Sequence, residues 1–212
     1  MKFYISILIA LLIACSTRKA SAQSKEQILN QQLQHFEFNF SGLMKTRGLD
    51  YYEVNPSLAS IQANLNAYSE NDSTLSLLFY NHQHDSLFIW CINYQGIEAF
   101  AVQIISKYEL INLEDRYKKA LEIVDQSRGA KTTNNKGAES FQTISALVSK
   151  TLLPEIIASV LKHKQNVLIL PVLNIGGFPF YTLQPWHDST YVIDRLTLAI
   201  LPSFSSFGRF LN

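Results

Sequence analysis

The chain has 212 residues, 47% of them hydrophobic and 12% aromatic: enough apolar matter for one sizeable core, and too much for a disordered chain. Its 18 Lys and Arg stand against 17 Asp and Glu. That balance supplies neither a basic surface for nucleic acid nor an acidic solvating tail.

Residues 1–22 have the form of a secretory leader. Met1-Lys2 gives a positive start, and Phe3 to Ala14 is an apolar run, short for a bilayer span but suited to a signal. Two processing readings stand side by side. Ala20-Ser21-Ala22 before Gln23 is an A-x-A cleavage site, although Arg18 and Lys19 separate it from the apolar run. Leu12-Ile13-Ala14-Cys15 has the pattern of a bacterial lipobox, in which Cys15 would become an acylated N-terminus and attach the protein to a membrane. Either route delivers an exported protein, periplasmic or lipid-anchored. In either case Cys91 is the one unmodified cysteine left, so the compartment allows disulfides but the chain cannot form one within itself.

Residues 23–50 are a helical lead-in. Ile28, Leu29 and Leu33 follow helical spacing, and alternation sets in around Phe36, Phe38 and Phe40. Beyond Gly48, Asn55 or Ser57 caps a second helix with Leu58, Ile61 and Leu65 on one face. Residues 74–104 read as a three-stranded antiparallel meander. Its strands are Thr74 to Tyr80, Ser86 to Tyr94 and Ile97 to Ile104; its turns are Asn81 to Asp85 and Gln95-Gly96. Helical spacing returns over Leu113 to Gln126, with Tyr117, Leu121 and Val124 on one stripe. The stretch 127–137, "SRGAKTTNNKG", reads as a mobile loop. Residues 139–163 are helical with a break near Leu153, because a residue before proline resists the helix. Asn166 to Leu170 is a fully apolar strand of the kind buried in parallel sheets. Tyr191 to Pro202 supplies another, centred on Leu196 to Leu201, and Phe204 opens a short helix.

Few residues offer chemistry. A phosphate loop needs several converging backbone N–H groups. Here Gly176-Gly177 is followed by Phe178-Pro179, and Pro179 has no N–H to give. No serine stands between the glycines, as a nucleophile elbow requires. A strand end with a sharp turn is the reading. His82 and His84, with Asp85 adjacent, could share a metal, but no third ligand is near, and solvated loop histidines are the plainer account. Cys91, between Trp90 and Ile92, reads as inert core. His163 and His187 are bases that no spacing ties to it. Trp186-His187-Asp188 is a polar turn with a surface aromatic. Asn39-Phe40-Ser41 and Asn71-Asp72-Ser73 match the glycosylation sequon, which matters only in a eukaryotic secretory pathway. No metal-binding, cofactor-binding or catalytic constellation emerges.

Four stretches, in order, resemble the N-terminal half of a CHAT domain, a caspase/separase-like family often found after tetratricopeptide repeats. "SLASIQANL" (57–65) resembles the family's opening helix, and residues 73–102 its three-stranded meander. "NVLILPVLNIGGFPFYTL" (166–183) is similar to the strand and loop written I-I-P-D-G-x-L-x-x-L-P-F-x-x-L. "YVIDRLTLAILPSFSSF" (191–207) is similar to Y-L-I-E-x-Y-x-I-S-Y-x-P-S-x-S-x-L. The resemblance covers 51–212. It implies an α/β fold: a truncated caspase-like sheet with flanking helices, preceded by the meander. It also implies structural roles for Pro171, Gly176, Gly177, Phe178, Pro179, Phe180, Pro202 and Ser203.

The chain departs from the family at Val172-Leu173, where the pattern has Asp-Gly. The family's catalytic histidine and cysteine fall downstream of the Pro-Ser segment, and no position here matches either. The expectation is an exported, non-catalytic CHAT-type protein, either an interaction or regulatory module or a gene remnant, without cofactor. A protein partner would complete its sheet. One alternative is half of a split cysteine peptidase; another is an unrelated envelope-associated α/β binding protein. An open apolar sheet edge predicts association or marginal stability of the isolated chain.

Overall fold

The computed structural model describes residues 2–48, 54–69, 73–127, 140–186, 188 and 190–209. The chain divides into two compact units, Met1–Ser60 and Ile61–Asn212. The first unit holds α1 (Lys2–Thr46) and the start of α2 (Leu58–Ser69). The alternation expected around Phe36 to Phe40 gives way to unbroken helix. Phe36 and Phe40, four apart, stack with ring centroids 6.5 Å apart, while Phe38 is 75% exposed. Helical i,i+4 spacing thus accounts for the pattern. Asn30 Oδ1 accepts from the Leu58 N–H at 2.7 Å. Ser57, not Asn55, caps α2, its Oγ accepting from the Ser60 N–H at 3.2 Å.

The second unit is mixed α/β. Its sheet has five strands in the order β3-β2-β1-β4-β5. The meander is β1 (Leu75–Gln83), β2 (Ser86–Asn93) and β3 (Gly96–Ile104). β4 (Asn166–Leu170) pairs parallel with β1, and β5 (Thr197–Ile200) parallel with β4. β1 runs on through the polar residues Asn81, His82 and Gln83, which sequence reading assigned to the turn. The turn is only His84-Asp85, both at positive φ (46° and 55°), as the twist of a two-residue hairpin demands. Polar side chains leave the backbone ladder intact, so Gln83 still pairs with Ser86. At the second turn Gly96 sits at φ 142°, where a side chain would be strained. Asn93 Oδ1 holds that turn by accepting from the N–H groups of Gln95 (2.8 Å) and Gly96 (3.0 Å).

Three helices pack on one sheet face: α3 (Lys107–Ser127), α4 (Phe141–Leu152) and α5 (Glu155–Leu161). Leu78, Tyr80, Leu87, Ile89, Val167 and Ile169 of the sheet meet Leu113, Tyr117, Ile144, Val148 and Ile157 of the helices. Each such buried side chain contributes roughly 2 kcal/mol from the apolar area removed from water. Leu77, Phe79, Trp90, Ile92 and Leu170 alternate to the other face and are also buried, as a parallel pairing requires. α3 starts earlier than expected because Ser106 and Glu109 cap it reciprocally. The Ser106 Oγ accepts from the Glu109 N–H (3.2 Å), and Glu109 Oε2 accepts from the Ser106 N–H (2.8 Å). The break at Leu153-Pro154 is present, with α4 and α5 bent by 84°. The loop expected at 127–137 lies, beyond Ser127, outside the described residues. Among the described residues no single helix is long and apolar enough to cross a membrane.

β5 corrects the sequence reading. It is four residues long and lies at the sheet edge, with Thr197, Ala199 and Ile200 exposed and Leu198 half-buried. An apolar run suits a buried strand and an uncovered one equally, so composition alone could not separate them. α6 (Phe204–Arg209) follows.

Candidate functional site

The segment between β4 and β5 builds an open apolar surface in the second unit. Beyond Pro171 the chain makes a 3-10 turn over Leu173–Gly177 and another over Phe180–Thr182. Neither glycine has positive φ; both are there for close approach. A Cβ on Gly176 would stand 3.1 Å from the Pro171 ring, and one on Gly177 would stand 2.5 Å from Glu114 Oε1 on α3. Glu114 is buried and accepts from Lys118 Nζ at 2.5 Å. The loop is thereby seated on α3. Phe178 packs beside Tyr117 (centroids 6.3 Å) and Phe180 beside Tyr80 (5.9 Å). Tyr117 Oη and Thr182 Oγ1 share a hydrogen bond of 2.6 Å. Burial raises the Tyr117 phenol above its ordinary range, against the hydrogen bond of Thr182.

This loop and β5 enclose a groove of about 720 Å³. Gly176, Gly177, Phe178, Pro179 and Phe180 form one wall, and Leu196, Leu198 and Ile200 the other, with Tyr181 and Ile193 at the rim. Tyr181, Ile193 and Ile200 are 52%, 63% and 48% exposed. Among the described residues no charged side chain lines the groove. The nearby charges are engaged elsewhere: Asp194 accepts from the Tyr191 N–H, and Arg195 pairs with Asp188 while lying over the Trp186 ring. The hydrogen bonds of Thr190, followed by Arg195 and Lys162, hold the Asp188 carboxyl below the usual range.

Five of the eight expected motif residues thus share one groove. Pro171 stands behind it, against Gly176. Pro202 and Ser203 serve the start of α6 instead, where the Ser203 Oγ accepts from the Ser206 N–H at 3.2 Å. Leu198, Ile200, Tyr181 and Ile193 were missed as groove residues. Alternation places Leu198 and Ile200 on one face of the strand but does not distinguish a groove from a covered face.

The other candidates disperse. His82 belongs to β1, its Nε2 2.8 Å from the Ile105 carbonyl, and His84 occupies the turn. Among the described residues no group of three His, Cys, Asp or Glu side chains could hold a metal. His163 is exposed after α5, and His187 lies outside the described residues. Cys91 is fully buried on β2. A bulge in β3 opposite Cys91 and Ile92 leaves Glu98 as the extra residue and turns its side chain toward Cys91. Glu98 accepts from the Ser76 hydroxyl (2.9 Å) and from Lys164 Nζ (2.5 Å), and that ammonium also donates to the Ser73 carbonyl (2.6 Å). Burial, with the Glu98 charge second, pushes the Cys91 thiol up to about 12. A thiol so placed is a packing group and no nucleophile.

No family model matches the sequence, and no curated protein matches it either.

Proposed function

We propose that this chain is an exported, non-catalytic interaction module of the CHAT type, whose work is to take up a strand from a protein partner at β5. One observation carries the binding mode: among the described residues β5 is the edge strand of the sheet, with no strand paired on its outer side, and the described residues of the apolar groove beside it carry no charge. The order of the four CHAT-like stretches supports the family reading, and the leader supports export. The buried, weakly acidic Cys91 thiol argues against the chain's own cysteine acting on a substrate.

Edge strands are templates for pairing with another chain, and natural proteins blunt them with lysines, prolines or covering elements. β5, with the sequence Thr-Leu-Ala-Ile, carries none of the first two. Strand addition supplies backbone hydrogen bonds for affinity and alternate side chains for selectivity. The selectivity here is for neutral, apolar residues over Leu198 and Ile200.

The test is titration with short neutral peptides that alternate Val or Ile with Thr. Saturable binding should protect the Leu198 and Ile200 amides from hydrogen exchange, and Ile200→Pro should abolish it. Proline is tolerated where the N–H faces outward on an edge strand, so this variant removes a donor without unmaking the sheet. Equal binding by Ile200→Pro would sink the proposal.

A further inference from the structure

We infer that the strand β5 accepts is β5 of a second copy, paired antiparallel about a two-fold axis through Ala199. The inference rests on the strand-addition reading and names its partner.

The backbone of β5 fixes the register. The Thr197 N–H donates to the Gln165 carbonyl (2.8 Å) and the Leu201 N–H to the Ile169 carbonyl (2.7 Å). Odd-numbered residues therefore turn their backbone groups toward β4. Alternation turns the N–H and C=O of Leu198 and Ile200 to the bare edge. The ladder is closed at both ends. The Leu196 N–H already donates to the Val192 carbonyl (2.9 Å), and the next outward residue beyond Ile200 is Pro202, which has no N–H. The free pairing capacity of the edge is thus two residues, placed symmetrically about Ala199.

Such an edge is self-complementary. In an antiparallel pair, residues that exchange both hydrogen bonds alternate with residues that exchange none. With Ala199 opposite the partner's Ala199, Leu198 of each copy exchanges both bonds with Ile200 of the other. The same register sets Leu198 beside Ile200 on the groove side, an apolar cross-strand pair made twice. Each Ile200, 48% exposed in the single chain, is covered by the partner. The described residues of the groove carry no charge to be buried, and a formal net charge of +1 sets little repulsion between copies. The result is one continuous sheet through both copies. An isologous contact of this kind closes on itself and stops at two.

The register yields a covalent test. Ala199 is exposed and would form a non-hydrogen-bonded pair with its own counterpart, with Cα atoms about 4.5 Å apart, within the range a disulfide spans. Thr197 would lie four residues out of step with its counterpart, about 13 Å away. Both are changed to cysteine in the full chain carrying Cys15→Ser, with the parent as control for Cys91. Mild oxidation should convert Ala199→Cys to a covalent dimer and leave Thr197→Cys at the parent's level. Sedimentation of the unmodified chain should show a dimer that Ile200→Pro returns to monomer. Association through the apolar run 3–14 would survive Ile200→Pro and cross-link neither position, and so overturns the inference. Equal cross-linking of both positions overturns it too. A monomer that still binds the neutral peptides overturns the self-pairing and leaves strand addition standing. A monomer that binds none overturns both.

Discussion

Removing a thiolate from water costs far more than removing a thiol. At Cys91 the neighbouring Glu98 carboxylate adds to that cost, and the Lys164 ammonium offsets only part of it. With the thiol pushed up to about 12, roughly one molecule in ten thousand carries the thiolate at pH 8. Cys91 should therefore resist iodoacetamide in the folded chain and react only in urea, read by mass spectrometry of the peptide that contains it; ready labelling of the native protein would contradict its place in the core. The sign of the pH dependence follows. In the unfolded chain the thiol ionises near 9.0, and in the folded chain near 12, so the folded state holds more protons between them. Its contribution to stability is complete below pH 9 and is lost as the pH rises toward 12. Tyr80, raised above 10.0 by its burial, acts in the same direction.

At the scale of elements, the start of α3 shows how a few atoms place a boundary. Ser106→Ala removes the hydroxyl that receives the Glu109 N–H and should cost about 1 kcal/mol. It should also let the Glu109 carboxyl, now held below its ordinary range by the Ser106 backbone and side chain, drift upward. A carboxyl held low stabilises the fold above its unfolded pKa and ceases to as the pH falls through the folded one. Urea unfolding of both proteins at neutral and acid pH should thus show a difference that narrows in acid. The sequence Ser-Lys-Tyr-Glu displays this cap openly, yet hydrophobic spacing becomes unmistakable only at Leu113. Other elements were plainer. β4 is an unbroken apolar run of four residues after Asn166, and Pro154 announces its own kink. Leu198 and Ile200 look the same in sequence whether a neighbour covers them or not, so the groove was not legible. Nor was the association of Glu98 with Lys164, because a bulge alters the alternation that sequence reading depends on.

At the scale of the molecule, two copies joined along β5 would unfold as a dimer. The midpoint of thermal unfolding should then rise with protein concentration, since dilution favours the separated chains, and Ile200→Pro should flatten that dependence. An unfolding curve identical at all concentrations would count against association. Lys164 contributes something of another kind. Its ammonium closes contacts with Ser73, 91 positions earlier, and with Glu98, 66 positions earlier. The meander can form from neighbouring residues, but these contacts wait until β4 reaches β1. A strand docked one residue out of step would turn its side chains to the wrong faces. It would also strand a buried ammonium without its carboxylate, at a cost of several kcal/mol. The bulge at Glu98 therefore acts as a checkpoint on assembly: it rewards only the chain in which the last long-range strand has arrived in the correct register.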